Sequence, residues 1–257
     1  MHLKLDLNLK DKTAIITGAT RGIGLVTALT LARNGADVFI CGRNEDTLAG
    51  VVKMHKKDGL SINGLAGDVT QESFVTELVN MARQKTGRID ILVNNAGKSD
   101  MHVITLNNIS TDLWDAYLNS HLKSAFMFCK EVEPIMRRQG SGKIINMAAA
   151  AALVRLGSAH FIAAKSGLIG LTKSLARELA KYNIQVNAVA PGLVDTPSSR
   201  KNFPPVVFER ITHLYPAGRI ASPDDIAKAV LFFSSPLSDF INGQVLAVDG
   251  GFAALFE

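Results

Sequence analysis

The sequence predicts an α/β fold in which a doubly wound parallel β-sheet of about seven strands carries helices on both faces. Short runs rich in β-branched and other apolar residues alternate with longer amphipathic runs, and no repeat or linker interrupts the alternation. The length of 257 residues and an apolar content of 47% suit one domain with a large core, spanning residues 1–257. The predicted strands cover residues 13–17, 37–41, 61–66, 89–93, 143–147, 184–190 and 245–248.

The amphipathic runs between the strands predict the helices. Asn44 precedes the second helix, and Ser222 followed by Pro223 begins the last one, because serine caps helices well and proline fits the first helical turn. The segment 195–215 has two adjacent prolines and mixed polarity, and we expect it to be mobile. The predicted helices cover residues 25–33, 45–57, 71–85, 110–139, 160–181 and 223–234.

Composition excludes several classes of protein. No apolar run approaches the roughly 20 residues of a membrane-spanning helix, and residues 1–10 lack the apolar centre of a signal peptide. The two cysteines, Cys41 and Cys129, are too few for a disulfide scaffold and suit buried thiols of a reducing compartment. The net charge of +5 is spread along the chain, so we expect no nucleic-acid partner. The lack of a membrane-spanning run and the two cysteines lead us to expect no membrane partner and a cytoplasmic location.

A glycine-rich stretch, Thr17-Gly-Ala-Thr-Arg-Gly-Ile-Gly24, follows the first predicted strand and leads into the first predicted helix. Backbone N–H groups at a helix N-terminus lack intrahelical partners and the helix dipole favours an anion, so this arrangement predicts a pyrophosphate site. The spacing of Gly18, Gly22 and Gly24 is G-x3-G-x-G rather than the familiar G-x-G-x-x-G. The alternative is a glycine turn that only closes a tight connection.

The loops that follow the predicted strands should meet in one crevice. In parallel sheets, ligands bind beyond the carboxyl ends of the strands. Glycine, proline or polar side chains are present in every loop at that edge. These loops are residues 18–24, 42–43, 68–69, 94–97, 147–157 and 191–196.

These motifs, in this order, resemble the classical short-chain dehydrogenase/reductase family over nearly the whole chain. The glycine-rich stretch is similar to that family's cofactor motif, Asn94-Asn-Ala-Gly97 to its structural motif, and Pro191-Gly192 to its nicotinamide-side motif. Lys165 and the residues after it are similar to its active-site helix. The resemblance implies a Rossmann-like fold and an oxidoreductase that transfers a hydride to or from a carbonyl, alcohol or conjugated small molecule.

The resemblance also implies which cofactor is bound and by which residues. An acidic residue after the second strand holds the ribose of NAD in such folds, whereas this chain has Cys41-Gly42-Arg43 there. Arg43, together with Arg21, offers guanidinium groups suited to a 2′-phosphate, so we expect NADP rather than NAD. The alternative is that both arginines only face water. The expected cofactor-binding residues are Gly18, Thr20, Arg21, Gly22, Ile23, Gly24, Arg43, Asp68, Val69, Asn95, Ala96, Gly97, Lys165, Pro191, Gly192, Val194 and Thr196.

The catalytic residues of the family are an Asn, a Ser, a Tyr and a Lys, and in this chain only the lysine matches. The resemblance places the Tyr four residues before Lys165, where this chain has Phe161. The Ser position falls on Ala149, or on Ala148 when counted back from the phenylalanine, and the Asn position falls on His121. Phenyl and methyl groups transfer no proton. The predicted catalytic positions are therefore occupied by Lys165, His121, Phe161 and Ala149, with proton delivery handicapped.

Three functions remain open at this point. One is an NADP-dependent oxidoreductase with a rebuilt proton relay, and the second is a pseudoenzyme that binds NADP(H) and acts by interaction or sensing. The third, a non-redox enzyme on the same fold, is disfavoured by the intact glycine-rich stretch.

His121 and His160 are candidate proton donors. The alternatives are plain packing for His121 and an outward-facing helix start for His160. Ser158 is either a further site residue or the cap of that helix. No tyrosine has the local spacing to replace the missing phenol; the three are Tyr117, Tyr182 and Tyr215.

The resemblance finally implies a small-molecule substrate and self-association. Members of the family pair the two helices predicted here over residues 110–139 and 160–181 into a four-helix interface. Apolar stripes on long helices need such cover. We therefore expect a homotetramer, with a dimer as the fallback.

Overall fold

Seven parallel strands form one sheet in the order β3-β2-β1-β4-β5-β6-β7, which confirms the predicted doubly wound, Rossmann-like α/β fold. The computed structural model describes residues 7, 9–98 and 103–256. The direction in which strands are added reverses between β1 and β4, the position at which such sheets bind ligands. The strands are β1 Thr13–Ile16, β2 Asp37–Gly42, β3 Ile62–Ala66, β4 Ile91–Asn94, β5 Gly142–Met147, β6 Ile184–Pro191 and β7 Val245–Val248.

The helices follow the predicted pattern, with short helices added near the cleft described below. The added ones are α6, in the alanine-rich stretch, and α8 and α9, in the segment expected to be mobile. The helices are α1 Gly22–Arg33, α2 Glu45–Lys57, α3 Glu72–Thr86, α4 Thr111–Tyr117, α5 Ser124–Gln139, α6 Ala150–Val154, α7 Ala159–Leu179, α8 Pro197–Asn202, α9 Pro205–His213 and α10 Pro223–Ser234. Within the described ranges, no helix combines the length and the apolar character needed to span a membrane.

Each face of the sheet buries its own core, because side chains alternate along the strands. Ile16 of β1 shares one core with Leu31 of α1 and residues of α10. Ile15 points the other way and shares a second core with Leu78 of α3 and Val132 of α5. With both faces covered, the central strands are almost fully buried, as expected for a parallel sheet.

The long helix predicted over residues 110–139 contains a π-helical turn. Ser110 caps its N-terminus by accepting a hydrogen bond from the N–H of Leu113 at 3.1 Å. After α4, the segment Leu118–Lys123 is π-helical and continues directly into α5. Single π-helical turns are rare and shift the side chains around them relative to an α-helix. This one carries His121, which is buried.

The segment 195–215, which we expected to be mobile, contains the short helices α8 and α9. Thr196 forms a capping box with Ser199 at the start of α8, and prolines begin both α8 and α9. A proline in the first helical turn loses no intrahelical hydrogen bond, so the prolines of this segment are compatible with helices. The mobility of the segment stays a prediction.

A buried carboxylate joins the N-terminal ends of β1 and β4. Asp90 accepts a hydrogen bond from the N–H of Thr13 at 2.9 Å and two from the guanidinium of Arg88 at 2.7 and 2.5 Å. The ammonium of Lys12 lies 3.5 Å from the same carboxylate. The hydrogen bonds to Asp90 raise the pKa of Arg88. Because β1 and β4 are neighbours and both end at the cleft, this network fixes one strand relative to the other.

Removing this carboxylate should destabilise the fold at a distance from the cleft. We expect Asp90→Ala to lower the free energy of unfolding by about 2–4 kcal/mol, because the N–H of Thr13 and the Arg88 guanidinium lose their acceptor. Urea denaturation measures the loss, with the exposed Asp115→Ala as a control that should change it by less than about 0.5 kcal/mol. A loss below about 1 kcal/mol for Asp90→Ala would contradict the role assigned to its side chain.

Candidate active site

One cleft lies beyond the carboxyl ends of the strands, over the point where the strand order reverses. Its cavity volume is about 700 Å³. Every residue expected to bind the cofactor lines this cleft, and so do His121, Phe161 and Ala149 of the predicted catalytic positions. The structure thus brings the predicted site residues together in space, and their individual roles stay predictions.

Hydrogen bonds between Thr17 and Asn95 hold the glycine-rich loop against the end of β4. The hydroxyl of Thr17 accepts from the backbone N–H groups of Asn95 and Ala96 at 3.0 and 2.9 Å. In return, the Asn95 amide donates to the carbonyl oxygens of Thr17 and Gly18 at 2.9 and 3.0 Å. These four bonds set the relative position of two neighbouring loops that both line the cleft.

The glycine-rich loop has the shape of a phosphate cradle. Gly18 adopts φ +65°, and a Cβ at this position would lie 2.9 Å from the Cα of Ala96, so no side chain fits. α1 begins at Gly22, and its first turn contains no carboxylate. Its unpaired N–H groups and the positive end of its dipole are therefore available to an anion. The loop fits the pyrophosphate of a dinucleotide.

Two guanidinium groups without partners lie at the β2 end of the cleft. Arg21 and Arg43 line it and are exposed, and neither guanidinium group has a hydrogen bond or ion pair with the residues that the structure describes. Nearby, the carboxylate of Asp68 accepts from the N–H and the hydroxyl of Thr70, both at 2.9 Å. Two uncommitted cations suit a ligand that carries an additional phosphate.

Lys165 is buried on α7 and lines the cleft. Its ammonium donates a hydrogen bond to the carbonyl oxygen of Met147, at the end of β5, over 2.5 Å. Burial lowers the pKa of Lys165 to about 8, because desolvation disfavours the charged form. The lysine is therefore mostly charged at pH 7 and held in one place.

The positions expected to carry hydroxyl groups are apolar. Phe161 lies on α7 one helical turn before the lysine and lines the cleft. Its ring centroid is 6.0 Å from that of His121 and 6.5 Å from that of Tyr117, edge to face in both pairs. Ala148 and Ala149 are buried between the end of β5 and α6. No proton donor is present at these three positions.

His121 packs as a neutral imidazole against the loop after β4. Hydrogen-bond geometry assigns Nε2 as the donor to the carbonyl of Lys98 at 3.0 Å. The ring fills the space above Gly97, where a Cβ would lie 2.2 Å from Nδ1. Nδ1 is buried and has no hydrogen-bond partner among the described residues. Burial and the charge of Lys165 lower the pKa of His121 well below its usual value, so Nδ1 is an uncommitted acceptor at pH 7.

His160 faces inward, so the interpretation of an outward-facing helix start is wrong. The first turn of α7 packs against α4 and buries the imidazole, which is 1% exposed. Its ring stands edge-on to Tyr117, with centroids 4.2 Å apart and an interplanar angle of 83°. The side chain lines the cleft, and its Nδ1 is buried without a partner in the described ranges. Burial lowers the pKa of His160, so this imidazole is also neutral at pH 7.

Ser158 does not cap α7 with its side chain, although it occupies the N-cap position. Its hydroxyl accepts a hydrogen bond from the backbone N–H of Ile104 at 2.8 Å. The serine therefore ties the segment that follows β4 to the start of α7. Local sequence could not show this bond, because its partner is 54 residues away.

Tyr117 is the residue near the site that sequence reasoning missed. It is buried among the rings of His121, His160 and Phe161. The spacing of four residues between Tyr117 and His121 on a predicted helix was the available signal. The distance along the sequence from Lys165 could not predict that Tyr117 lies near the site, because α4 and α7 are neighbours only in the folded chain.

The cleft therefore has two halves of different character. One half combines a phosphate cradle, two free guanidinium groups and a charged lysine, which suits a dinucleotide phosphate. The other half offers two neutral imidazoles beside Phe161 and the alanines, and polar side chains such as Asn119 and Ser120 also line the cleft. A neutral imidazole can accept a proton, whereas the phenyl and methyl groups beside it cannot.

Comparison with known proteins finds relatives over nearly the whole chain. A family model described as enoyl-(acyl carrier protein) reductase matches residues 18–253. The 3-oxoacyl-[acyl-carrier-protein] reductase FabG of Thermotoga maritima is 37% identical over 248 residues, which cover 95% of this chain and 99% of that protein. The (2S)-[(R)-hydroxy(phenyl)methyl]succinyl-CoA dehydrogenase subunit BbsD of Thauera aromatica is 35% identical, with coverage of 95% and 98%.

Solved structures show the same fold. A gluconate 5-dehydrogenase from Burkholderia cenocepacia, crystallised with NADP and tartrate, superposes with a TM-score of 0.90 at 34% identity. The match covers 97% of this chain and 98% of that one. Family model, sequence relatives and architecture agree that this chain belongs to the short-chain dehydrogenase/reductase family of oxidoreductases.

Proposed function

We propose that this protein is an NADP-dependent oxidoreductase that transfers a hydride to or from a carbonyl, alcohol or conjugated small molecule. The observation that carries the proposal is the cleft, in which all residues expected to hold a nicotinamide dinucleotide lie together. The named relatives are reductases and dehydrogenases, and one structure of the same fold contains NADP. When bound, this cofactor supplies or accepts the hydride.

In this proposal, different residues of the cleft bind different parts of the cofactor. The N-terminus of α1 and the loop at Gly18 would bind the pyrophosphate, and Arg21 and Arg43 would bind the 2′-phosphate. The ammonium of Lys165 would donate to the nicotinamide ribose. None of these groups depends on the missing hydroxyls. Binding of the cofactor is therefore separable from proton delivery.

Proton transfer, in our proposal, uses the buried imidazoles of His121 and His160. Both are neutral at pH 7 because burial lowers their pKa values, and a neutral imidazole is a base. In alcohol oxidation, such a base takes the hydroxyl proton as the hydride leaves carbon. In carbonyl reduction, the imidazole must first be protonated before it can supply a proton to the new alkoxide. At neutral pH the resting form of the pair is therefore the one that accepts the proton in oxidation.

The alternative function is a pseudoenzyme that binds NADP(H) and acts by interaction or sensing. The named reductases and dehydrogenases among the relatives lend it no support. Turnover separates the two functions, because a pseudoenzyme binds NADP(H) but converts no ketone, enone or alcohol.

A cytoplasmic location stays a prediction. Cys41 and Cys129 are both buried and free, which suits a reducing compartment.

NADPH should bind about 10- to 100-fold more tightly than NADH, because two guanidinium groups meet its 2′-phosphate with charge-assisted hydrogen bonds. We expect Arg43→Ala to remove most of this preference and to leave NADH affinity within about twofold. Fluorescence titration of NADPH and NADH measures both affinities. Arg33→Ala, at the far end of α1, is the matched control. Equal affinities for the two cofactors, or an unchanged preference in Arg43→Ala, would contradict the assignment.

Rebuilding the missing hydroxyls should restore ordinary ketone reduction. We expect the triple variant His121→Asn, Ala149→Ser and Phe161→Tyr to raise ketone turnover by about 10²–10⁴, the contribution of a positioned acid. The serine should also be tried at Ala148. The double variant that keeps Phe161 is the control and should show no comparable gain, because it lacks the phenol.

NADPH consumption measures turnover in this series. The result against us is a rate of about 1–10³ per second for the unaltered protein with simple ketones. Such a rate would contradict the handicap that we attribute to the missing phenol, and His121→Ala and His160→Ala would then measure how much each imidazole contributes.

We propose a homotetramer, with a dimer as the fallback, assembled through the exposed faces of α5 and α7. Phe126 on α5 is 49% exposed, and Phe126→Asp should shift the protein to smaller species, because a charge is costly to bury in an interface. Met54→Asp on α2, where the side chain is 61% exposed, is the control and should leave assembly unchanged. Light scattering measures the mass. A monomer at micromolar concentration rules out both assemblies.

A further inference from the structure

Tyr215 follows α9, and its side chain has no part in the function proposed above. It is 5% exposed, and its hydroxyl accepts a hydrogen bond from the N–H of Leu193 at 2.6 Å. Leu193 lies in the loop after β6, where its neighbours Gly192 and Val194 line the cleft. Tyr215 does not itself line the cleft, but it is hydrogen-bonded to the loop that does.

This bond completes the anchoring of the loop. On one side, the N–H of Gly192 donates to the carbonyl of Val248 at 3.1 Å. On the other, the carbonyl of Leu193 accepts from the N–H of Ala221 at 3.1 Å. Between these points, Tyr215 is the acceptor that the described residues provide for the Leu193 N–H. A buried N–H left without an acceptor is unfavourable, so the loop depends on this hydroxyl to keep its path.

The ring of Tyr215 is itself held by the C-terminal turn. It stacks on Phe252, with centroids 5.0 Å apart and an interplanar angle of 20°. Phe252 in turn contacts Phe256 at 5.2 Å. The carboxylate of Asp249 accepts from the N–H groups of Gly251 and Ala253 at 3.1 and 2.8 Å, which fixes the turn that carries Phe252. We call the three rings Tyr215, Phe252 and Phe256, the first two stacked and the last two tilted, the aromatic ladder.

The ring also lies close to the loop at Gly192. The atoms Cε1 and Oη of Tyr215 lie 2.9 and 3.0 Å from the point that a Cβ at Gly192 would occupy, so the ring leaves no room for a side chain there. Tyr215 therefore limits the loop at 192 by the space it fills and holds it at 193 by a hydrogen bond. A ring of fixed orientation offers its hydroxyl in one place only.

We propose that Tyr215 is a positioning residue for the nicotinamide half of the cofactor site, and that the aromatic ladder holds it in place. This inference rests on the proposed function, because it takes the loop at Gly192 to be the wall beside the nicotinamide. Tyr215 touches no reacting atom. It determines where the backbone at Leu193, and with it Val194 and Thr196, meets the bound dinucleotide.

The test compares a whole cofactor with its adenosine half. Tyr215→Phe keeps the ring and removes the hydroxyl. We expect it to weaken NADP⁺ binding by about 5- to 50-fold and to leave the affinity for 2′,5′-ADP, which lacks the nicotinamide half, within about twofold. Phe252→Leu should weaken NADP⁺ binding by less, and it should also leave the affinity for 2′,5′-ADP unchanged. Tyr182→Phe, at the C-terminal end of α7, is the matched control and should change neither affinity.

Hydrogen exchange of the ligand-free protein provides a second measurement. The amide of Leu193 should exchange about tenfold faster in Tyr215→Phe than in the unaltered protein or in Tyr182→Phe, because its acceptor is lost. Equal losses of NADP⁺ and 2′,5′-ADP affinity would overturn the proposal, and so would unchanged NADP⁺ affinity or unchanged exchange. Failure of the unaltered protein to bind either compound would overturn the proposed function as well, which distinguishes the two failures.

Discussion

The hydrogen-bonded contact between Thr17 and Asn95 is the constraint on which the rest of the site depends. It joins the ends of β1 and β4, the two strands between which the sheet reverses its order. At the opposite ends of the same strands, Asp90 binds the N–H of Thr13. With both ends of this strand pair fixed, the glycine-rich loop and the loop that supports His121 have defined positions, and the cleft between them is preformed rather than assembled by a ligand.

The catalytic half of the cleft, as we propose it, combines apolar side chains with buried ionisable groups. Phe161, Ala148 and Ala149 offer no hydroxyl at the positions where the family resemblance places one. Burial lowers the pKa values of Lys165, His121 and His160, that of the lysine to about 8. Both imidazoles are therefore neutral at pH 7, and in our proposal they take the place of the phenol as the groups that transfer the proton.

Sequence patterns predicted the strands and the cofactor half of the cleft because both depend on local features. Apolar runs indicate buried strands, and a glycine-rich turn between a strand and a helix favours a phosphate loop. The orientation of His160 and the proximity of Tyr117 could not be predicted, since they depend on how α4 packs against α7. The π-helical turn around His121 and the two helices after Thr196 were missed for a different reason. Composition predicted a helix around His121 and an irregularity after Thr196, but it could not predict which backbone groups are hydrogen-bonded to each other there.

The central claim is that the cleft binds NADPH with its own intact residues while proton delivery rests on buried imidazoles. The most direct measurement is the pH dependence of a single turnover, in which the preformed NADPH complex reduces a ketone and the loss of NADPH fluorescence is followed. NADPH should saturate the protein at every pH. The rate should rise as the pH falls from about 8 toward about 5, because the imidazoles must be protonated before they supply a proton. A fast rate that does not change over this range would contradict the claim.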